Sequence, residues 1–329
     1  MRQRLSIEDY IAGILAGDRI TLSQAITVTE SRLSADKELA SAILKGILPH
    51  SGHAFRIGIT GVPGVGKSTF IESFGTYLTS IGKHVAVLAV DPSSQKSRGS
   101  ILGDKTRMEK LSHNPRAYIR PSATGLFLGG IAKSTRESML LCEAAGYDVI
   151  LIETVGVGQS ETLVKGITDF FLLLMLAGAG DELQGIKKGI MEMADAIAVN
   201  KADGENLHAT ALAVSTYENA LHLFPKSDSG FATEVLTCSA LEEKGMEQIW
   251  ELIQAYEKTT KENGYFDLNR QNQNLNWMHD RIRQSLEDRF YGNPEIIKKL
   301  KSLERDVMEG KELPDLAAED LLRIFIQKN

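Results

Sequence analysis

The chain has 329 residues, of which 43% are hydrophobic, 24% charged and 6% aromatic, as in a globular protein that buries a full core. Its 37 Lys and Arg against 43 Asp and Glu give a net charge of −6, which argues against a protein that binds nucleic acid through bulk charge. The two cysteines, Cys142 and Cys238, are far apart in sequence, so we expect reduced thiols rather than a disulfide or a zinc site.

The amino terminus carries the acids Glu8 and Asp9 where a signal peptide has its apolar run. The most apolar stretch, Phe170 to Ala179, is about half as long as the ~20 residues that a membrane-spanning helix needs. These features predict a cytoplasmic protein that neither enters a membrane nor binds nucleic acid.

The first fifty residues predict helices, because apolar residues recur at helical spacing over 7–14 and 39–47 before a Pro-His-Ser-Gly break at 49–52. From Phe55 onwards, short apolar runs alternate with helical stretches, which is typical of a parallel sheet covered on both faces. The runs are Phe55–Thr60, His84–Val90, Ala117–Ile119, Asp148–Ile152, Phe170–Leu176, Ala196–Asn200 and Val235–Thr237.

Beyond about Asn263, amphipathic stretches with charged outer faces predict three more helices. We therefore expect an α/β fold in which a mostly parallel central sheet is flanked by helices. The predicted regions are an N-terminal helical segment, 1–50, a central domain, 51–262, and a C-terminal helical segment, 263–329.

The first apolar run leads into a glycine-rich loop that matches GxxxxGK[ST] between a strand and a helix. Its sequence is Gly61-Val62-Pro63-Gly64-Val65-Gly66-Lys67-Ser68-Thr69. The glycines let backbone N–H groups converge on a phosphate, and the helix N-terminus adds partial positive charge. We assign Lys67 to the β- and γ-phosphates, the Ser68 hydroxyl to Mg²⁺ and Thr69 to the α-phosphate. The motif predicts a P-loop NTPase.

Two later segments that follow strands indicate which base is bound. They are Asn200-Lys201-Ala202-Asp203 and Ser239-Ala240-Leu241. The Asp203 carboxylate can accept hydrogen bonds from N1–H and the 2-amino group of guanine, whereas adenine would leave it unpaired at a cost of ~1–3 kcal/mol. Lys201 would lie along the base, Asn200 would tie its loop to the phosphate loop, and the second segment would offer a backbone N–H to the guanine O6. The alternative is that Asp203 only caps a helix.

Three acidic residues are candidate magnesium ligands beside Ser68. Asp91 ends a strand next to the phosphate loop, although an Asp-Pro-Ser sequence is also good turn chemistry. Asp104 lies in the polar segment 97–108, which suits a loop that closes over the metal and the γ-phosphate. Glu153 stands at the first position of a DxxG element, where most GTPases have Asp, and its longer side chain would reach the metal through water.

Two further loops suit nucleotide-dependent contacts. Gly156 can offer its N–H to the γ-phosphate, and Gln159 is either a residue that orients water or an ordinary surface glutamine. The glycine- and charge-rich loop 178–189 suits a partner contact that depends on the nucleotide, with a plain surface loop as the alternative.

Taken in order, GVPGVGKST, VDPSS, SILGDKTRM, ETVGVGQSE, GAGDELQGIKKG and NKAD resemble the MeaB-like family of P-loop GTPases. That family includes the methylmalonic aciduria type A protein and bacterial proteins formerly called ArgK or LAO/AO transport ATPases, and the resemblance covers about residues 35–260. It implies a SIMIBI-like GTPase fold and a homodimer made by the C-terminal part. It also implies a chaperone whose GTP cycle gates adenosylcobalamin loading and protection of an acyl-CoA mutase, most often methylmalonyl-CoA mutase.

By position, the resemblance assigns catalytic roles to Lys67, Asp91 and Glu153, with GTP or GDP and Mg²⁺ as cofactors. Ser68 and Asp104 would join the two acids around the metal, Asp203 would select guanine, and loop 178–189 would be the switch that couples to the mutase. Arg98 departs from the family, whose members usually have Gly beside Gly99.

Two other functions stay open at this stage. An ATP-dependent kinase of periplasmic amino-acid-binding proteins is suggested by the older family name, although segment 200–203 argues against it. A nickel or zinc metallochaperone GTPase shares the fold class but usually carries His-rich or paired-Cys motifs. Here the close pair His50 and His53 flanks a turn and is better explained as solvated loop residues.

Overall fold

The computed structural model describes residues 4–31, 33–90, 108–120, 128–154, 160–178 and 188–326, with the side chains of 128–132, 160 and 188 excepted. The chain divides into two compact units, Met1–Arg270 and Gln271–Asn329. The three regions expected from the sequence stay a prediction.

A parallel sheet of seven strands forms the centre of the first unit. The strands are β1 (Phe55–Gly61), β2 (Val85–Val90), β3 (Ala117–Arg120), β4 (Val149–Thr154), β5 (Phe170–Leu176), β6 (Ala196–Asn200) and β7 (Glu234–Thr237). Their order is β3-β2-β4-β1-β5-β6-β7, and each neighbouring pair is parallel. The predicted α/β fold is confirmed, and the described strands are all parallel rather than mostly so.

Helices surround this sheet within the first unit. They are α1 (Ile7–Leu15), α2 (Arg19–Thr29), α3 (Ser34–Ile47), α4 (Lys67–Ser80), α5 (Glu109–His113), α6 (Leu128–Ala144), α7 (Ser160–Lys165), α8 (Lys188–Met193), α9 (Leu207–Leu221) and α10 (Met246–Glu262). The Ser6 hydroxyl accepts a hydrogen bond from the Asp9 N–H at the start of α1, and Asp18 caps α2 in the same way. Each cap satisfies amide groups that a helix leaves without partners.

Both faces of the sheet are covered, which explains why its strands are apolar on both sides. On one face, α4 and α10 bring Phe70, Phe74 and Trp250 against β1 and β5. On the other face, α1, α2, α3 and α6 enclose a second cluster that includes Tyr10 and Ile26. In the described residues, no helix has the length and apolar character that crossing a membrane requires.

The C-terminal helices are α11 (Tyr265–Tyr291), α12 (Pro294–Met308) and α13 (Pro314–Ile326). In the second unit, α12 and α13 pack through a small core that includes Ile296, Leu303 and Leu321. Phe290 of α11 joins this core and contacts Phe325 edge to face, with ring centroids 5.3 Å apart. The three predicted C-terminal helices are therefore present.

An arginine fixes the first turns of α11 to the first unit. Arg270 donates to both carboxylate oxygens of Asp169 at 2.7 and 2.6 Å, and to the carbonyls of Gly52 and Ala54 at 2.6 and 2.7 Å. Its guanidinium also lies over the Phe266 ring, 4.4 Å from the centroid. The Asp169 side chain is only 1% exposed, so this ion pair compensates a carboxylate that is removed from water.

Replacing Arg270 by Ala is expected to destabilise the protein by about 3–5 kcal/mol, because the buried Asp169 carboxylate loses its charged partner. Urea denaturation followed by circular dichroism measures the change. Lys258→Ala is the matched control, since it removes an exposed pair with Glu262 and should cost about 0.3–0.5 kcal/mol. Equal changes in the two variants would show that the Arg270 contacts do not stabilise the fold.

Candidate functional site

The predicted site segments meet at one edge of the sheet. The loop 62–66 follows β1, Glu153 is the second-last residue of β4, residues 200–203 begin at the last residue of β6, and residues 238–241 follow β7. Because these strands are parallel and close together, their carboxyl ends bring the segments to the same crevice, which is where open α/β sheets bind ligands.

The backbone of the glycine-rich loop depends on glycine at two positions. Gly66 is the N-cap of α4 with φ +91°, a left-handed conformation that side chains disfavour. A Cβ at Gly61 would lie 2.5 Å from the Leu174 carbonyl oxygen, so a side chain cannot fit there. The loop then delivers the first turn of α4, whose N–H groups lack partners within the helix, to the crevice. This arrangement is suited to binding an anion.

Lys67 places its ammonium group inside the loop. Its Nζ donates to the carbonyls of Gly61 at 2.8 Å and of Val62 at 3.4 Å. Burial lowers the pKa of Lys67, and the negative charges of Glu153 and Glu161 oppose that shift. Glu161 was given no role from the sequence, although it is the acid that ends the segment ETVGVGQSE. The negative charges of Glu153 and Glu161 therefore favour the protonated Lys67 ammonium group, although the loop partly removes it from water.

Ser68 and Glu153 form the part of the predicted metal site that lies within the described residues. The Ser68 hydroxyl donates to Glu153 Oε1 at 3.1 Å, and Glu153 is 6% exposed. Next to it, Thr154 Oγ1 donates to Thr60 Oγ1 at 2.8 Å and links the ends of β4 and β1. A hydroxyl and a carboxylate are oxygen donors of the kind that Mg²⁺ prefers, so these residues fit that ion.

Asn200 connects three loops of the site. Its Nδ2 donates to the Val65 carbonyl at 2.8 Å, while its Oδ1 accepts from the Ala240 N–H at 3.0 Å and from Cys238 Sγ at 3.6 Å. Burial raises the pKa of Cys238 to about 12, which keeps the thiol protonated as a donor. Lys201, with φ +62°, donates to the Gly64 carbonyl at 3.0 Å. The phosphate loop and the base segments are therefore hydrogen-bonded to each other.

Asp203 is held from the neighbouring loop. The buried Ser239 hydroxyl donates to the Asp203 carboxylate and accepts from the Glu242 N–H at 3.1 Å. Asp203 precedes a short 3-10 turn, 204–206, but its side chain makes no capping hydrogen bond there. The carboxylate contacts the Ser239 loop instead, which disfavours the alternative in which Asp203 only caps a helix.

Other predicted residues contribute less to this geometry. Thr69 is exposed on the first turn of α4, Pro63 is exposed in the loop, and the Leu241 side chain is 79% exposed. Asp91, Arg98, Asp104, Gly156, Gln159 and residues 179–187 lie outside the described residues. Within the residues that are described, no group of three or more His, Cys, Asp or Glu is placed to hold a metal, and His50 and His53 belong to no such group.

A parallel sheet with a glycine-rich phosphate loop between β1 and α4 defines a P-loop NTPase. Residues 22–295 match the family described as "Methylmalonyl Co-A mutase-associated GTPase MeaB", and the chain belongs to this family. The resemblance found in the sequence is thereby confirmed.

Individual relatives agree with this membership. A probable GTPase of Mycobacterium tuberculosis is 47% identical over 319 residues, which cover 97% of this chain and 95% of that protein. The mouse methylmalonic aciduria type A homolog, a mitochondrial protein, is 40% identical over 334 residues, which cover 98% of this chain and 80% of that protein. The crystal structure of an LAO/AO transport system kinase has a TM-score of 0.78 and 37% identity, covering 100% of both chains.

Proposed function

We propose that this protein binds and hydrolyses GTP with Mg²⁺. The observation that carries the proposal is the Asp203 carboxylate, which Ser239 holds at the same edge of the sheet as the phosphate loop. Asn200 and Lys201 hydrogen-bond that loop, so the protein's own contacts set the spacing between the segment that carries Asp203 and the phosphate loop. A fixed acceptor for N1–H and the 2-amino group favours guanine over adenine.

In the proposed reaction, Lys67 would exchange its contacts with the Gly61 and Val62 carbonyls for β- and γ-phosphate oxygens. Ser68 and Glu153 would hold Mg²⁺ directly or through water, with Asp91 and Asp104 as further predicted ligands. When bound, Mg²⁺ would neutralise charge on the β- and γ-phosphates. The first turn of α4 would orient the phosphates through its N–H groups.

The proposed partner is an adenosylcobalamin-dependent acyl-CoA mutase, with methylmalonyl-CoA mutase as the first choice. The description of the family and the name of the mouse relative support this assignment. GTP binding and hydrolysis would gate the loading of adenosylcobalamin and protect the mutase, and loop 178–189 would be the contact that depends on the nucleotide. The protein would act in the cytoplasm.

A second copy of this chain is the proposed partner of α11. Leu275, Met278, Ile282 and Leu286 recur on α11 at helical spacing and are 54%, 50%, 49% and 54% exposed. An apolar stripe of this kind is typical of a surface that another protein covers. Contact between the same stripe on two chains would make a closed, symmetric dimer.

The kinase function is less well supported. The LAO/AO structure is described as a kinase. In an enzyme that uses ATP, however, the Asp203 carboxylate would find no hydrogen-bond donor at the matching ring nitrogen of adenine. The geometry around Asp203 therefore favours the GTPase.

Sedimentation velocity with methylmalonyl-CoA mutase from the same genome tests the partner and the dimer together. We expect the free protein to sediment as a particle with twice the 36.1 kDa mass of one chain. Its affinity for the mutase should differ roughly 5-fold or more between GDP and a non-hydrolysable GTP analogue. An equal affinity in both nucleotides, or no binding, would refute the gating function, and a monomer would refute the dimer.

A further inference from the structure

Ser73 makes a contact that the proposed function does not yet use. It lies on α4, six residues after Lys67, and is 5% exposed. A serine within a helix usually points to solvent or bonds to a carbonyl one turn earlier in its own helix. Ser73 Oγ instead donates to the Ala240 carbonyl at 2.5 Å, across 167 positions of sequence. The hydroxyl therefore ties α4 to the segment that follows β7.

This contact fixes the orientation of one peptide group. The described chain has no cis peptide bond, and in a trans peptide the C=O and the following N–H point in opposite directions. Because Ser73 draws the Ala240 carbonyl towards α4, the Leu241 N–H points away from that helix. The N–H of Ala240 itself is held by Asn200 Oδ1 at 3.0 Å. Ser73 and Asn200 therefore hold the carbonyl and the N–H of Ala240, respectively.

The same helix serves both ends of the site. Lys67 stands at its N-terminus beside the phosphate loop, and six residues of α-helix place Ser73 about 9 Å further along the axis. Ser239, the residue before Ala240, is the donor to Asp203. A displacement of Ala240 would therefore also displace the hydroxyl that holds the base-selecting carboxylate.

We infer that Ser73 is a positioning residue for base selection: its buried hydroxyl fixes Ala240, and through Ser239 the Asp203 carboxylate, relative to the phosphate loop. This inference rests on the proposed function, because it assumes that Asp203 selects guanine. In this role Ser73 would contact neither the base nor the phosphates and would act through the segment 239–241.

The test compares the dissociation constants of GTP, ATP and inorganic tripolyphosphate in the wild type and in Ser73→Ala. We expect the preference for GTP over ATP to fall roughly tenfold in the variant, because the carbonyl that it leaves unpaired is free to move. Tripolyphosphate, which has no base, should bind equally to both proteins. Ser80→Ala is the matched control, since Ser80 is an exposed serine of the same helix whose hydroxyl donates to the local Tyr77 carbonyl.

Ser73→Cys provides a second variant if Ser73→Ala does not fold, because it keeps the size of the side chain and a weak donor. Its GTP preference should lie between those of the wild type and Ser73→Ala. The inference is overturned if Ser73→Ala keeps the wild-type preference, if it weakens tripolyphosphate binding as much as GTP binding, or if Ser73→Cys matches the wild type. A wild type without a preference for GTP would instead refute the proposed function.

Discussion

Replacing Lys67 by Ala is expected to lower the kcat/KM for GTP hydrolysis by roughly 10²- to 10³-fold. Its ammonium group lies in the phosphate loop, where burial lowers its pKa while Glu153 and Glu161 help to keep it charged. Loss of that cation would leave the γ-phosphate without the donor that we assign to it, and the two acids would then repel the nucleotide. Release of inorganic phosphate under single-turnover conditions measures the effect.

Lys45→Ala is the control for this experiment, because Lys45 is an exposed lysine on α3. It should hydrolyse GTP at the wild-type rate. A Lys67→Ala protein that remains folded and hydrolyses GTP within twofold of the wild type would contradict the assignment of Lys67 to the phosphates.

Replacing Asp203 by Asn is expected to weaken GTP binding about 100-fold and to create affinity for xanthosine triphosphate. The Asn carbonyl oxygen can still accept one hydrogen bond from guanine, but its amide N–H then faces the second guanine donor, so one hydrogen bond is lost and two donors oppose each other. Xanthine has a carbonyl in place of the 2-amino group, and that carbonyl can accept from the Asn amide. Isothermal titration with both nucleotides measures the exchange of specificity.

Glu205→Gln serves as the matched control, since it changes an exposed acid two residues away from Asp203 to an amide. Its GTP affinity should be that of the wild type. If Asp203→Asn still bound GTP as tightly as the wild type, or gained no affinity for xanthosine triphosphate, Asp203 would not be the residue that contacts the base.

The strands and the phosphate loop were predictable because their signals are local. A strand buried on both faces must be apolar throughout, so the predicted Phe55–Thr60 and Ala196–Asn200 closely match β1 and β6. The GxxxxGK[ST] pattern likewise carries its own backbone requirement, as Gly66 at φ +91° illustrates. Local propensity and spacing were sufficient for these elements.

The sequence predicts that Asn200 ties its loop to the phosphate loop, but other contacts around the site were not predictable, because they join distant residues that carry no local signal. Ser73 has no signal in the sequence, and only the order of the strands brings α4 next to the segment after β7 in which Ala240 lies. Glu161 gave no periodic signal, since the six-residue helix α7 is too short to show one. The pairing of Asp169 with Arg270 similarly depends on where α11 begins.

The wild-type arm of the Asp203 titration tests most directly whether this crevice selects guanine. With Mg²⁺ present, we predict one GTP bound per chain and an affinity for GTP about 100-fold or more above that for ATP. Equal affinity for the two nucleotides, or tighter binding of ATP, would contradict the claim that this crevice selects guanine.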